Sequence, residues 1–327
     1  MPRGAVTSRS VSIVIPTFER WDMLRATLAG ALAQEDVDVD VLVVNDGSSE
    51  PPAWIADAGE GRVRVVAPDG HRGVGHARNA GIAAAEGEWI ALLDDDDLWS
   101  PQKLAAQVDA ADRAGAAWSY TAGVYVDEEL VPFQDLPAPP ADGLLGVLFR
   151  HQVIPGAASN LLVRSGLLRE LGGFDDELHQ LADWDLCLRL AASGQPAPVH
   201  DVLLAYVQHG SSMLVTSSDS VLGEYDRLRA KHAAQARALG FAFDPESMAF
   251  WAVGRLEKAG HRRRAVRESL AAGIRYRESA LLANAARLLV PRTVLAGPLV
   301  PARVATADAP APSRPAWLER YRVATPV

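Results

Sequence analysis

The strongest constraint on the fold is the alternation, over the first third of the chain, of short apolar runs with amphipathic segments. Four runs have the length and composition of buried strands: Val11–Ile15, Val39–Val44, Val63–Ala67 and Trp89–Leu93. Apolar or alanine residues at helical spacing occupy Trp21–Ala33 and Gly75–Ala85, and a third such segment follows from Pro101 to Ala114. This alternation predicts a parallel sheet covered by helices on both faces.

The pattern changes twice further along the 327 residues. Between Ala117 and Val207 it predicts less regular strands and one helix, Asp183–Ala192. From Asp219 to Leu289 the spacing is helical, and beyond Pro291 the chain is rich in Ala, Pro and Val. We therefore expect a main domain over 1–218, a helical appendage over 219–290, and a tail over 291–327 that is poorly ordered until it meets a partner.

Polar segments follow three of the predicted strands, where the strands end. Pro16–Phe18 follow the first strand, Asn45–Ser49 the second and Asp94–Asp97 the fourth. Open parallel sheets bind ligands beyond the carboxyl ends of their strands. We therefore expect these three segments to share one edge of the sheet and to form a ligand site there.

The four consecutive aspartates carry the most chemical information. Two unit charges about 4 Å apart repel by about 4 kcal/mol at an effective dielectric near 20, so the run must be solvated, partly protonated or bound to a cation. Apolar residues flank the run on both sides, which disfavours a solvated acidic tail. A metal site with few protein carboxylates and further ligands from phosphate oxygens suits Mg²⁺ or Mn²⁺.

Six segments, in their order and spacing, resemble glycosyltransferase family 2, the inverting nucleotide-sugar transferases of GT-A fold. The segments are Val11–Phe18, Val43–Ser49, Gly73 with Ala77–Gly81, Gly87–Asp97, Gly172–Asp176 and Ala182–Leu186. The resemblance implies an α/β fold with a GT-A (Rossmann-like), mostly parallel sheet flanked by helices. The C-terminal helical appendage lies outside it.

The resemblance implies which residues hold the nucleotide. Pro16, Thr17 and Phe18 correspond to the first-strand turn that lies against the base. Asp46 corresponds to the aspartate that accepts a hydrogen bond from the base, and Arg78 to the arginine that reaches the nucleotide.

The resemblance also implies the metal ligands and the catalytic base. Asp94 and Asp96 correspond to the Asp-x-Asp metal motif, with Asp95 between them closer to the donor sugar or ribose. His209 lies where the family often has a histidine that touches metal or diphosphate. Asp183 corresponds to the catalytic aspartate, although local sequence alone favours a helix N-cap there.

Some positions depart from the family or have a second interpretation. Ala182 replaces the glutamate of the family's Glu-Asp pair, and His71 replaces an asparagine usual before the glycine-containing loop. Trp184 is assigned to the donor sugar by stacking, with a buried core tryptophan as an equal alternative.

The resemblance implies an inverting, Mn²⁺- or Mg²⁺-dependent enzyme that uses a nucleotide-diphosphate sugar. UDP- or dTDP-sugars are favoured by family habit, and the acceptor is a polysaccharide, a lipid-linked sugar or a small-molecule glycan. Two alternatives stay open. A nucleotidyltransferase would need a glycine-rich triphosphate loop that Pro16–Glu19 does not offer, and a catalytically silent nucleotide- or sugar-binding module is kept open by Ala182.

Composition bounds the partners and the compartment. The net charge of -9 argues against a general nucleic-acid binder. A single cysteine, Cys187, excludes an intramolecular disulfide, and neither a membrane span nor a signal-peptide core is evident, so a cytoplasmic location is expected. The sequence has a basic cluster at Arg262–Arg264 and Arg267. This cluster favours a solvated helix face, and the alternative is peripheral contact with the inner face of an anionic membrane. A homodimer is also compatible with the sequence.

Overall fold

The computed structural model describes residues 9–47, 49–209, 221–290, 312 and 314–322. The chain divides into two compact units: residues 1–148, 152–208 and 312–327 form the first, and residues 149–151 and 209–311 the second. None of the helices in the described ranges combines the length and apolar character needed to cross a membrane.

The strands of the first unit are β1 Ser10–Thr17, β2 Asp38–Asn45, β3 Val63–Val66, β4 Trp89–Leu92, β5 Leu98–Trp99, β6 Trp118–Val126, β7 Pro132–Leu136, β8 Leu162–Arg164 and β9 Ala197–Val207. Its helices up to residue 208 are α1 Trp21–Leu32, α2 Ala53–Asp57, α3 Val74–Ala84, α4 Lys103–Ala114, α5 Leu144–Leu148, α6 Ser165–Glu170 and α7 Ala182–Ser193. Short 3-10 turns occupy Ala58–Gly61 and Ala157–Asn160.

These strands form one sheet in the order β3-β2-β1-β4-β8-β6-β9-β5, with β7 paired to β6. The first four strands are parallel, as their alternation with helices predicts. Beyond β4 the sheet is mixed, because β8 runs antiparallel to β4 and β6, and β7 and β5 run antiparallel to β6 and β9. The predicted α/β sheet flanked by helices is confirmed, and its parallel character belongs mainly to the first half.

Local differences from the expected elements have clear causes. β1 continues through Pro16 to Thr17, although proline was expected to end it. The pairing of β1 with β4 ends at Val14. Pro16, which has no backbone N–H, therefore does not interrupt the hydrogen bonds between these two strands. The two-residue strand β5 was not predicted, because only pairing with β9 gives Leu98 and Trp99 a strand partner.

The core of the first unit lies where α1 and α4 cover the sheet. Fully buried side chains there include Ile13, Ile15, Val41, Leu104 and Trp99. Packing on both faces explains the nearly continuous apolar runs of β1 and β2. The core therefore holds the carboxyl ends of β1, β2 and β4 on one rim.

The segment 314–322 differs from the expected poorly ordered tail. Leu318 and Tyr321 are buried in a cluster with Leu98, Val124 and Ala205. The Tyr321 hydroxyl donates to the backbone oxygen of Trp99 at 2.6 Å, and Trp317 Nε1 donates to the backbone oxygen of Val202 at 2.9 Å. The sequence did not reveal this contact because a single short helical turn has no periodicity long enough to detect.

The second unit contains helices where the helical appendage was expected, within the part that the structure describes. They are α8 Val221–Leu239, α9 Pro245–Lys258, α10 Arg262–Tyr276 and α11 Ser279–Leu289. Asp244 caps α9 by accepting from the backbone N–H of Ser247 at 3.0 Å. The predicted boundary between residues 218 and 219 falls among undescribed residues.

Candidate active site

The four aspartates form a tight turn between β4 and β5. The Asp97 N–H donates to the Asp94 backbone oxygen at 3.3 Å, and alternation along the turn separates the side chains into two pairs. Asp95 and Asp97 are buried, whereas the side chains of Asp94 and Asp96 keep 26% and 17% of their exposure. Only Asp94 and Asp96 of this run therefore present carboxylates to a ligand.

Asp97 braces the turn. Its Oδ1 accepts from the backbone N–H of Val207 at 3.1 Å, and its backbone oxygen accepts from the Thr27 hydroxyl at 3.0 Å. Burial, together with the charges of Asp96 and Asp94, raises the pKa of Asp97 well above its usual range. Asp97 thus ties the acidic turn to β9 and to α1.

Asp95 lies beneath the surface of the acidic turn. Its Oδ2 accepts from the Thr17 hydroxyl at 2.7 Å and from Arg20 Nε at 3.2 Å, and its Oδ1 accepts from Arg20 Nη2. Thr17 is itself buried. Both side chains join β1 to the acidic turn, and the donor contacts predicted for Asp95 and Thr17 stay predictions.

Arg20 is a site residue that the sequence analysis missed. Besides holding Asp95, it donates through Nη1 to Asp96 Oδ2 at 3.0 Å. The available signal was charge: four adjacent carboxylates need a counter-charge, and Arg20 is the nearest basic residue beyond the β1 turn on the same rim.

Arg78 supplies the second counter-charge, from α3. Its side chain is buried, pairs with Asp94 and lies 5.0 Å from the ring centroid of Phe174. The adjacent Asn79 accepts from the Phe174 N–H at 2.8 Å and donates to the Phe174 oxygen at 2.9 Å. A Cβ on Gly173 (φ +65°) would lie 2.3 Å from Asn79 Oδ1, so this loop needs glycine there. The two motifs containing Arg78 and Phe174 are therefore one structural feature.

Asp183 lies in the first turn of α7, where its Oδ1 accepts from the Trp184 N–H at 2.7 Å. Burial raises the pKa of Asp183 to about 6, while the charge of Arg78 lowers it and that of Asp94 raises it. Arg78 is thus close enough to act on both carboxylates. The structure brings Asp94, Arg78 and Asp183 together from three elements.

A second cluster surrounds Asp46, at the end of β2. His71 Nδ1 lies 2.8 Å from Asp46 Oδ2 and 3.0 Å from the Asp46 backbone oxygen. The His71 ring stacks on Phe18 with centroids 4.3 Å apart, and Phe18 is 48% exposed. Asp46 is buried, and its Oδ1 has no hydrogen-bond partner within the described ranges. An unpaired buried carboxylate oxygen is costly, so Oδ1 is suited to accept from a ligand N–H.

The remaining predicted site residues have different outcomes. Pro16 is buried in β1 and joins Phe18 to the sheet. Trp184 is only 3% exposed, and its Nε1 donates to the Leu148 backbone oxygen at 2.7 Å. This burial favours the core-packing alternative for Trp184, and its stacking on a donor sugar stays a prediction. His209 belongs to the second unit, and its contact with a metal stays a prediction.

The acidic turn fits a divalent metal that takes most of its ligands from elsewhere. No group of three or more His, Cys, Asp or Glu side chains among the described residues is arranged to hold a metal ion. Asp94 and Asp96 offer hard oxygen ligands of the kind that Mg²⁺ and Mn²⁺ prefer. Asp94 is paired with Arg78 and Asp96 with Arg20. A bound metal would therefore replace these arginine contacts.

Comparison with known proteins finds a family match over part of the chain. Residues 12–163 match the profile of glycosyl transferase family 2. The succinoglycan biosynthesis protein ExoO of Rhizobium meliloti (strain 1021) is 46% identical over 107 residues, which are 32% of this chain and 31% of ExoO. An uncharacterized glycosyltransferase of Bacillus subtilis (strain 168), YwdF, is 29% identical across 68% of this chain and 84% of its own length.

The fold also resembles a solved structure. Staphylococcus aureus TarS 1–349, solved in complex with UDP-GlcNAc, superposes with a TM-score of 0.57 at 18% identity. The match covers 68% of this chain and 65% of that one. At this identity the likeness concerns the fold alone. The predicted GT-A-like fold is thereby confirmed.

Proposed function

Because residues 12–163 match glycosyl transferase family 2, we propose that this chain is an inverting, metal-dependent enzyme that transfers a sugar from a nucleoside-diphosphate sugar to an acceptor hydroxyl. The family confirms the prediction of a glycosyltransferase. The observation that carries the finer proposal is the ion pair of Arg78 with Asp94, together with the buried Asp183, whose pKa is affected by the charges of both residues.

The donor is a UDP- or dTDP-sugar. One oxygen of Asp46 is engaged by His71, which leaves a single buried acceptor, Oδ1. Uracil and thymine each present one ring N–H between two carbonyl groups, which matches a single acceptor oxygen. Guanine presents a ring N–H and an amino group side by side and would need two acceptors. The exposed Phe18 ring supplies an aromatic surface for the base.

Asp183 is the proposed catalytic base. As the acceptor oxygen attacks the anomeric carbon, its proton passes to Asp183 and the bond from the anomeric carbon to the diphosphate breaks. A carboxylate with a pKa of about 6 is ionised at neutral pH and is a stronger base than an ordinary aspartate. Arg78, between Asp183 and Asp94, would offset negative charge on both sides of the transferred sugar.

Asp94 and Asp96 would hold Mn²⁺ or Mg²⁺, which as a Lewis acid would stabilise the charge that develops on the leaving diphosphate. Without the metal, Arg20 and Arg78 hold these carboxylates in place. Their positive charges also offset the repulsion among the four adjacent aspartates. His209 lies in the second unit, and its role as a metal ligand stays a prediction.

The acceptor is a glycan, either free or lipid-linked, and peripheral contact with an anionic membrane is proposed for the second unit. On α10, Arg263, Arg267, Leu270 and Ile274 are exposed and follow one another at helical spacing. Exposed apolar side chains next to arginines suit the interface of an anionic bilayer. Flotation with phosphatidylglycerol vesicles should weaken in an Arg263→Ser, Arg267→Ser variant, and unchanged flotation would exclude this face. A cytoplasmic location and a homodimer stay predictions.

The test of the function combines turnover with binding. The protein is incubated with Mn²⁺ and UDP-, dTDP- or GDP-sugars, and the release of the nucleoside diphosphate is measured by chromatography. We expect metal-dependent release from a UDP- or dTDP-sugar and stabilisation of the fold by the same diphosphate. Transfer of a nucleotide instead of a sugar would support the nucleotidyltransferase alternative, and binding without turnover would support a silent binding module.

A further inference from the structure

Three aromatic rings form a row beside the acidic turn. Tyr206, near the end of β9, lies edge-on to Tyr125 of β6, with ring centroids 5.3 Å apart and planes at 89°. Tyr125 in turn stacks on Phe133 of β7, with centroids 5.8 Å apart and planes at 6°. All three residues belong to the first unit. The strands β6, β7 and β9 therefore place successive rings in contact.

The inner end of this row lies at the candidate active site. Val207, the neighbour of Tyr206, donates its N–H to Asp97 Oδ1 at 3.1 Å, and Ala205 pairs with Leu98 directly after the acidic turn. Burial, followed by the charges of Asp97, Asp96 and Asp94, raises the pKa of Tyr206 well above its usual value. Tyr206 thus stands beside the carboxylates as a neutral phenol.

The outer end of the row is exposed. Phe133 retains 50% of its exposure, and its strand, β7, lies off the main strand order and pairs with β6. Apolar surface left in water costs about 25 cal/mol per Å² compared with buried surface. In its exposed position, the Phe133 ring contributes little to the stability of the core. The row therefore joins an exposed aromatic ring to the candidate active site, and a ligand stacked on that ring would reach the acidic turn along the row.

A pyranose ring matches this surface. Its axial C–H groups form an apolar face that stacks on an aromatic ring, while its hydroxyl groups stay in water around the rim. The polar Gln134 and Asp135 follow Phe133 on β7 and are exposed, so hydrogen-bonding partners for hydroxyl groups are at hand. A lipid chain or an apolar peptide would not use these polar neighbours.

We propose that Phe133, Tyr125 and Tyr206 form an acceptor strip that stacks a sugar residue of a glycan acceptor and guides its terminal hydroxyl toward the acidic turn. The proposal rests on the proposed glycosyltransferase function and names its acceptor class and subsite. Phe133 is the outer stacking residue, and Tyr206 lies beside the reacting end.

The test uses the full chain and acceptor-like probes without a donor. Saturation-transfer difference NMR is recorded with a panel of α- and β-linked disaccharides of glucose, galactose and N-acetylglucosamine. We expect at least one disaccharide to receive saturation in the wild-type protein, and the signal to fall at least fivefold in Phe133→Ala and Phe133→Leu. Phe133→Tyr should retain it, because only a flat ring is needed.

Val65→Ala is the matched control, since Val65 is a 43% exposed apolar residue on the opposite edge strand, β3. It should leave the saturation signal unchanged. Loss of half-exposed Phe133 should not unfold the chain, and UDP-induced thermal stabilisation should be equal in all variants. Saturation of none of the disaccharides in wild type, or equal signals in wild type and Phe133→Leu, would overturn the strip. Failure of donor turnover with intact disaccharide binding would instead refute the proposed function.

Discussion

Asp183 is expected to set the acid limb of the pH dependence of sugar transfer. Burial raises the pKa of Asp183 to about 6, and only the anion accepts a proton. About ten elevenths of the enzyme would be ionised at pH 7 and about one eleventh at pH 5, so kcat should rise roughly tenfold between these values. An aspartate with an ordinary pKa near 3.8 would leave kcat flat over this range.

The perturbation is Asp183→Asn, which keeps the shape of the side chain and removes the proton acceptor. Positioned general bases contribute about 10²–10⁴-fold to rate, so kcat with saturating acceptor should fall by that factor. The remaining activity should lose its limb near pH 6. Glu177→Gln is the matched control, because Glu177 is an exposed carboxylate on the loop before α7 and should leave rate and limb unchanged.

The position of the limb also tests the charge environment. The Arg78 charge lowers the pKa of Asp183, so Arg78→Gln should move the limb of the residual activity to higher pH. This shift is read separately from the loss of amplitude that any change in Arg78 causes. A limb that stays at the same pH in Arg78→Gln would mean that Asp183 does not sense this arginine.

Stability gives an independent measurement. The folded state binds the Asp183 proton more tightly than the unfolded state, so the Asp183 contribution is favourable at low pH and is lost as pH rises from about 4 to about 6. At pH 7 the cost is at most roughly 3 kcal/mol, from a shift of about two pKa units. Asp183→Asn should therefore raise Tm more at pH 7 than at pH 4. Near-wild-type transfer by Asp183→Asn, or a limb near pH 6 that survives it, would refute the reasoning.

Three further outcomes follow from contacts in the first unit. Gly30→Ala should lower the free energy of unfolding, measured in urea, by about 1–3 kcal/mol, because the added Cβ would lie 2.2 Å from the Tyr321 hydroxyl. Gly166→Ala is the control, since a Cβ there would meet no atom within 4 Å and should not destabilise the protein. Equal effects of the two substitutions would contradict the packing of the C-terminal segment. Asp46→Ala should weaken UDP binding in calorimetry at least tenfold, and unchanged affinity would remove Asp46 from the base site. Chelation of divalent metal by EDTA should abolish turnover. It should leave Tm unchanged, because Arg20 and Arg78 already neutralise Asp96 and Asp94. A large drop in Tm would contradict that pairing.

The elements that the sequence predicted best are those whose burial is decided locally. β1, β2 and β4 are buried on both faces, so each is a continuous apolar run that any reader of the sequence can find. The two-residue strand β5 and the exposed strand β7 lack such a run. The conformation of β5 depends on pairing with β9, which lies far away along the chain, and that of β7 depends on pairing with the preceding strand, β6.

The candidate site shows the same division. The order of motifs pointed to Asp46, Arg78, Asp94, Asp96 and Asp183 before any coordinates. It could not decide how the side chains of the acidic turn alternate between surface and interior. It left Trp184 between sugar stacking and core packing, because burial of a tryptophan depends on what packs over it.

The sequence by itself determined the parallel half of the sheet, the resemblance to a known family and the residue types at the strand ends, because these depend on local periodicity and on motif spacing. Only the tertiary structure decided that Arg20 and Arg78 neutralise the acidic turn, that His71 engages one oxygen of Asp46, and that residues 314–322 return to cover β5 and β9. Each of these is a contact between segments distant in the chain, and the energy of an ion pair or a buried ring depends on distance and burial that no local pattern encodes.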